Sequence, residues 1–299
     1  MVSILGLAAA VGTWLFIILW CEPYGRWPGT AMDAHAYWLP AASDPYSVSS
    51  VGHPNAYLYS PVFLQLLWPL RQLSWQGFVA IWSLFPIAAL AYLTGPRLFL
   101  LGIAVAWTEI AGGNIELMIG VAIVVGFRWP AAWSFVLLTK VTPGIGLLWF
   151  VLRREWRSLF IALAATAAVA AVSFVIQPDA WLRWPQVLTT NTGATNGTWA
   201  AVPVPFMIRG PMALALIVWG ARTNHRWTVP ISAMLALPAL WFGGLTLIVA
   251  TVPLMGARTW SDLGVVAGRA RAELVEWRSV GLLTGLRRDL LEGRPESAA

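Results

Sequence analysis

The sequence predicts an all-α, polytopic transmembrane helix bundle, and three observations predict it. Hydrophobic residues fill 59% of the 299 positions and charged residues only 11%, too few to cover a water-soluble domain of this length. Mean hydropathy is +0.70. Apolar stretches of roughly 13 to 22 residues recur between short polar breaks, so several can cross a hydrocarbon core of about 30 Å as helices.

Ten membrane segments follow in order, at 3–21, 58–70, 76–94, 98–110, 115–127, 130–152, 158–177, 205–221, 228–241 and 242–256. No small-residue cleavage pattern follows the first, which reads as a retained signal anchor. The arginines test the topology. Alternating the segments from an internal N-terminus puts Arg71, Arg153, Arg154, Arg157, Arg222, Arg226, Arg258, Arg269, Arg271, Arg278, Arg287, Arg288 and Arg294 on the cytoplasmic side. Arg26, Arg97, Arg128, Arg183 and Arg209 fall outside. That bias predicts both termini inside a plasma membrane. It also explains the net charge of +6 without a nucleic-acid partner. The single cysteine, Cys21, excludes an intrachain disulfide and a Cys-based zinc site.

The bundle is expected over residues 1–257, with external loops at about 22–57 and 177–204 and tight connections elsewhere. Long loops in a compact protein tend to carry function. These two hold Asp33, His35, Asp44, His53, Asn55, Asp179, Asn191 and Asn196, so the functional face is expected outside. Most of the 20 tryptophans fit rings at headgroup depth. Trp181, Trp184 and Trp199 fit that role or the lining of a lipid or sugar site. Asn196-Gly197-Thr198 fits a glycosylation acceptor, although a turn explains it as well. Residues 258–299 form a basic cytoplasmic tail. Leu263, Val266, Ala270, Leu274, Trp277 and Leu290 recur there at near-helical spacing, either as an amphipathic helix on the anionic leaflet or as a partly disordered tail.

The first external segment places Asp33, His35, Tyr37, Asp44, Tyr46, His53, Tyr57 and Tyr59 within 27 positions. Asp33 and Tyr37 share one face of a helix, and His35 points away from it. Asp44-Pro45-Tyr46 and His53-Pro54-Asn55 read as turns. One or two short interfacial helices would hold Asp33 over the bundle. The alternative for Asp33 is a helix cap or a solvated loop residue.

Lys140 is the only lysine and falls within a predicted membrane segment, where charge is costly. Glu116 and Lys140 each lie twelve residues from Arg128, roughly 18 Å below the expected external turn. They are therefore expected to pair, with Glu109 and Asn114 close by. Two readings of Lys140 stand: a cation reaching toward a substrate, or a buried ion pair fixing helix register. Because a lysine stem spans only about 6 Å, the depth favours the second.

An acidic residue soon after the first membrane helix, Asp33 with Tyr37, is followed by Asp44-Pro45-Tyr46 and then Tyr59-Ser60-Pro61 opening the second helix. Further on stand "GGNIELMIG" (112–120) and "LLTKVTPGIGLLWFVLRREWR" (137–157). In order and spacing these segments, over residues 3–256, resemble the GT-C membrane glycosyltransferases. Among them they resemble family 87, the polyprenyl-phosphate-mannose-dependent α-mannosyltransferases. The resemblance implies an inverting transfer of mannose or a related sugar from a polyprenyl-phosphate donor to a lipid or glycan hydroxyl at the external face. Asp33 would be the base, because a carboxylate at hydrogen-bond distance can take the acceptor's proton. Tyr37, Asp44, Tyr46, Tyr59, Asn114 and Lys140 would bind substrate. The leaving phosphate needs cationic or hydrogen-bonding support, for which His53, Arg183 and Arg209 are candidates. A divalent metal ion bridging Asp33 or Asp44 to the phosphate fits this chemistry, yet no ligand spacing demands one. The competing functions are a non-catalytic membrane subunit of envelope glycan assembly and a lipid or solute transporter. The absence of a clear repeat and the external clustering of polar residues weigh against the transporter.

Overall fold

The computed structural model describes residues 2–21, 30–39, 44–53, 55–191, 202–256, 265 and 268. The described residues contain helices and no strand, as the composition requires. The first helix, α1 (Val2–Leu19), is followed by the short α2 (Met32–Trp38), then α3 (Pro61–Leu66) and α4 (Trp68–Arg71). Next come α5 (Trp75–Trp82), α6 (Leu84–Gly112) and α7 (Glu116–Gly126). A 3-10 turn at Pro130–Ala132 leads into α8 (Trp133–Thr139), and a second at Thr142–Leu147 into α9 (Leu148–Leu152). Then follow α10 (Trp156–Ile176), α11 (Pro178–Thr190), α12 (Phe206–Thr223) and α13 (Thr228–Leu235). A 3-10 stretch at Phe242–Ala250 runs into the last helix, α14 (Thr251–Met255).

Two stretches, Trp75–Gly112 and Trp156–Ile176, are long and apolar enough to cross a membrane. The first is a hairpin. Gly95 adopts φ 65° and ψ 174°, and Pro96 follows it. A Cβ placed on Gly102 would come within 2.9 Å of Leu90 and 2.8 Å of Thr94, distances that only a reversed chain allows. Glycine tolerates the positive φ, and proline cannot continue the preceding helix. The reversal separates the expected segments 76–94 and 98–110. The expected segments 58–70, 130–152, 228–241 and 242–256 are instead broken into short pieces. An all-helical membrane class therefore stands, while a count of ten spans does not follow from these helices. Along α10, Phe160, Val172, Val175 and Ile176 are 64–81% exposed, an apolar surface that suits lipid rather than water.

Side-chain contacts sort the turns between the two ends of the bundle and correct the expected topology. Around α2, Trp75 donates to the carbonyl of Cys21 (2.5 Å), Trp38 to that of Leu73 (3.1 Å), and Arg71 to that of Trp38 (3.2 Å). Arg71 thus belongs to the α2 end, because α3 and α4 are too short to carry the chain across. The turn after α6 is at this end too, since the Ala31 amide donates to the Ala111 carbonyl at 2.6 Å. At the far end Gly6 approaches Phe99, and Phe127 packs on Trp149 and Phe150 beneath Arg226. Arg97 and Arg128 therefore move to the end opposite α2. Among the described residues, Arg97, Arg128, Arg153, Arg154, Arg157, Arg222 and Arg226 gather there, against Arg71, Arg183 and Arg209 at the α2 end. The asymmetry read from the sequence survives, with different members. Arg26, Asn196, Trp199 and the arginines from Arg258 onward lie outside the described residues, as does most of the expected tail.

Candidate functional site

The site forms where three chain breaks meet beneath α2. The first is the end of α6, where Gly113 takes φ 72°, a left-handed cap that favours glycine. A Cβ there would also lie 2.8 Å from the methyl group of Ala34, so α2 rests directly on the turn. Trp82 clamps the same turn by donating to the Gly113 carbonyl at 2.6 Å. The second is Tyr59-Ser60-Pro61 ahead of α3. The third is the end of α8, where Lys140 is extended (φ −132°, ψ 112°) and the chain turns back into the Thr142–Leu147 stretch.

Hydrogen bonds lock these breaks together. Ser60 Oγ donates to the carbonyl of Leu138, joining the second break to the third. Tyr37 donates to Asn114 Oδ1 at 2.9 Å, Tyr59 reaches the same oxygen at 3.4 Å, and the two phenols share a hydrogen bond at 3.0 Å. The Asn114 side chain also accepts the Ile115 amide at 2.8 Å, just ahead of α7. Burial holds Tyr37 well above the usual phenol range, so it remains a neutral donor. The ring of Tyr59 lies 5.8 Å from Lys140 Nζ, in cation–π range.

Lys140 pairs with Glu116, as its spacing from Arg128 predicts. Glu109 joins them by accepting the Glu116 amide at 2.5 Å. The depth of this group is the reverse of the expectation. Because Arg128 marks the far end, the twelve-residue rise from it carries Glu116 and Lys140 up to α2 instead of burying them away from it. Lys140 remains 21% exposed while Glu116 is buried. One oxygen each of Glu109 and Glu116 has no hydrogen-bond partner.

Asp33 is half-buried in the first turn of α2. Loss of water pushes its carboxyl up to about 6; the charge of Lys140 opposes that shift and the charge of Glu116 adds to it. The base candidate, the lone lysine and its counter-ion therefore share one electrostatic environment. A carboxyl poised near neutrality can accept a proton and release it again.

The remaining candidates divide. Asp44 and Arg183 pair at 2.8 Å away from this cluster, between the 44–53 loop and α11. Tyr46 lines the same outer region, and its phenol donates to the Tyr59 carbonyl at 2.9 Å. His53 is exposed and accepts the Asn55 amide at 3.3 Å, remote from the three breaks. Arg209 is only 4% exposed, and its guanidinium donates to the carbonyls of Val204, Leu235, Leu237 and Pro238 at 2.6–3.0 Å. These bonds hold the chain where α13 ends. His35 packs edge-on to Trp75 and meets Asn55 at 2.7 Å. Among the described residues, no three His, Cys, Asp or Glu side chains group to hold a metal ion.

Sequence reasoning missed Trp82, and it named Ser60 only within the Tyr59-Ser60-Pro61 motif and Asn191 only among the polar residues of the second external segment, with no role for either. Asn191 straps the two external segments together, accepting the Val51 amide at 2.8 Å and donating to the Ser49 carbonyl at 2.6 Å. With 140 residues between the partners, no local pattern signals it.

The family model described as "Glycosyltransferase family 87" matches residues 57–275, well over half of the chain. The matched stretch contains Tyr59, Asn114, Glu116, Lys140, Arg183 and Arg209 and begins after Asp33, Tyr37, Asp44, Tyr46 and His53. No curated protein and no solved structure matches the chain.

Proposed function

The chain belongs to glycosyltransferase family 87, and from that premise we propose that it moves a mannosyl or related unit from a polyprenyl-phosphate donor to an acceptor hydroxyl. The transfer inverts the anomeric centre at the external membrane face. Asp33 takes the acceptor proton as the new glycosidic bond forms. The bond between the anomeric carbon and the phosphate oxygen breaks on the opposite side, and its electron pair leaves on the phosphate. That phosphate gains a negative charge, which the ammonium of Lys140 stabilises best in a site of low dielectric. Tyr37, Tyr59 and Asn114 hold the breaks that carry Asp33 and Lys140 in register.

One observation carries this reading: α2, which bears Asp33, rests on the Gly113 turn and joins through Tyr37 and Asn114 to the breaks where the chain's only lysine stands, with Lys140 still partly open. The external orientation rests on the arginine asymmetry, which puts the α2 end outside under the positive-inside rule. Residues 1–257 serve as the membrane unit and 258–299 as its cytoplasmic basic tail. Because the family match begins after Asp33, a scaffold without turnover is the competing reading.

Purified protein supplied with polyprenyl-phosphate mannose or polyprenyl-phosphate arabinose decides between the two. Sugar transfer by the wild type and none by Asp33→Asn is the expected result. Equal transfer by both proteins rules out Asp33 as the base, and no transfer from either donor favours the scaffold.

A further inference from the structure

Two buried glutamates meet at the turn between α6 and α7. Glu109 lies in the last turn of α6 and Glu116 opens α7. They are 1% and 3% exposed, and Glu109 Oε1 accepts the Glu116 amide at 2.5 Å. Their other oxygens, Glu109 Oε2 and Glu116 Oε2, have no hydrogen-bond partner. We propose that Glu109 holds a proton, and that this proton leaves the ammonium of Lys140 able to draw in the donor phosphate. Glu109 is then a positioning residue that acts through Glu116 and Lys140. The inference rests on the reading of Lys140 as the phosphate's cation and deepens it.

The charges around Glu109 do not balance. α7 brings Glu116, the end of α8 brings Lys140, and α2 brings Asp33 within electrostatic reach. His35 and Tyr37, also on α2, are turned to Asn55 and Asn114. α1, α5 and residues 242–255, which also pack on α6, contain no titratable side chain. Two glutamates against one ammonium leave a negative charge unmatched where water is excluded, a state that proteins avoid by neutralising the group. One proton removes the surplus. It also supplies what the orphaned oxygens lack, since a protonated carboxyl is a donor as well as an acceptor. Glu116 is the carboxylate in contact with the ammonium, so the proton falls to Glu109. A metal ion is a poorer match. A Cβ on Gly243 would lie 2.8 Å from Glu109 Oε2, so the backbone closes over that oxygen and leaves little room for a cation with its own shell of oxygens.

The proton decides what an incoming anion meets. With Glu109 neutral, Lys140 and Glu116 cancel, and the open part of the ammonium keeps donors for a phosphate. With Glu109 ionised, the group carries a net negative charge and repels the phosphate, the more so at low dielectric. The donor therefore selects the protonated form, and by linkage its binding is lost as pH rises through the range in which Glu109 ionises. Asp33 needs the opposite state. Its carboxyl, pushed up to about 6 by burial, acts as a base only after losing its proton. The two acids thus serve one reaction from opposite sides, one emptied to receive a proton and one kept full.

Infrared spectra of the full chain at about pH 8, where Asp33 and ordinary carboxylates are ionised, test the proton directly. Wild type is expected to show the carbonyl stretch of a protonated carboxylic acid, and Glu109→Gln to lack it. No such band in wild type, or the same band in Glu109→Gln, overturns the proposal. Calorimetric titration with polyprenyl-phosphate mannose, a phosphodiester that does not itself titrate near neutrality, tests the consequence. Because glutamine copies a neutral glutamic acid, Glu109→Gln is expected to bind this donor within about twofold of wild type. Removing an ionised carboxylate would instead tighten binding by about tenfold or more, and a change of that size in either direction overturns the proposal. Lys140→Met separates the two readings. Donor binding that survives this change sinks Lys140 as the phosphate's cation, while the infrared band stands or falls without any donor.

Discussion

Lys140 and Arg209 look alike in the sequence, each a lone cation among apolar residues, and the fold treats them in opposite ways. Arg209 is closed in by four backbone carbonyls where the chain leaves α13. Lys140 stands at a break in the backbone, pairs with one carboxylate and keeps part of its surface open. The difference teaches what makes a buried cation available to a ligand. Unmet backbone carbonyls at an irregular turn consume a guanidinium's donors, whereas a compact ammonium facing a single carboxylate retains donors for a substrate.

The comparison can be broken at several points. Asp33→Asn carries the largest expected effect, a fall in kcat of about 10²–10⁴-fold with little change in thermal stability. A variant that unfolds instead would make Asp33 structural and leave Lys140 without a catalytic neighbour. Arg209→Met comes next. It strands four carbonyls, each costing about 1–3 kcal/mol if buried without a partner, so folded yield and melting temperature fall together. The fraction that folds should keep the donor KM of the wild type; a raised KM at unchanged stability would return Arg209 to the substrate site.

Smaller effects sharpen the Lys140 side. Lys140→Met and Glu116→Gln, made singly and together, should show a coupling of about 1–3 kcal/mol in stability. Additive losses would mean that the pair has no energetic content. The gentlest probe is pH. Asp33 acts as a base only when ionised, and burial raises its carboxyl to about 6, so activity should be lost as pH falls through about 6 and level off above it. Glu116→Gln removes a charge that raises Asp33, so its acid limb moves to lower pH. Lys140→Met removes one that lowers Asp33, so its limb moves to higher pH. Limbs that stay in place would show that the buried pair does not act on the base.

Much of this was legible in the chain before any coordinates. Composition and periodicity determined the helical membrane class, because a surface of so many apolar side chains has only lipid to face. The twelve-residue spacings of Glu116 and Lys140 from Arg128 determined their pairing, because helical rise is fixed by backbone geometry. The break expected between segments 76–94 and 98–110 marked the place of the hairpin, and the structure puts Gly95 and Pro96 at its bend. What the sequence left open was direction. Read as ten complete crossings, it put the 112–114 turn and Arg71 at the wrong end, and that inverted the depth of Lys140. Only packing decided this, because short broken helices need not alternate between membrane faces. The partners that settle the ends, Ala31 with Ala111, Trp75 with Cys21 and Asn191 with Ser49, are 54 to 142 residues apart. Contacts at such separations leave no local trace, since each depends on where the rest of the chain already lies.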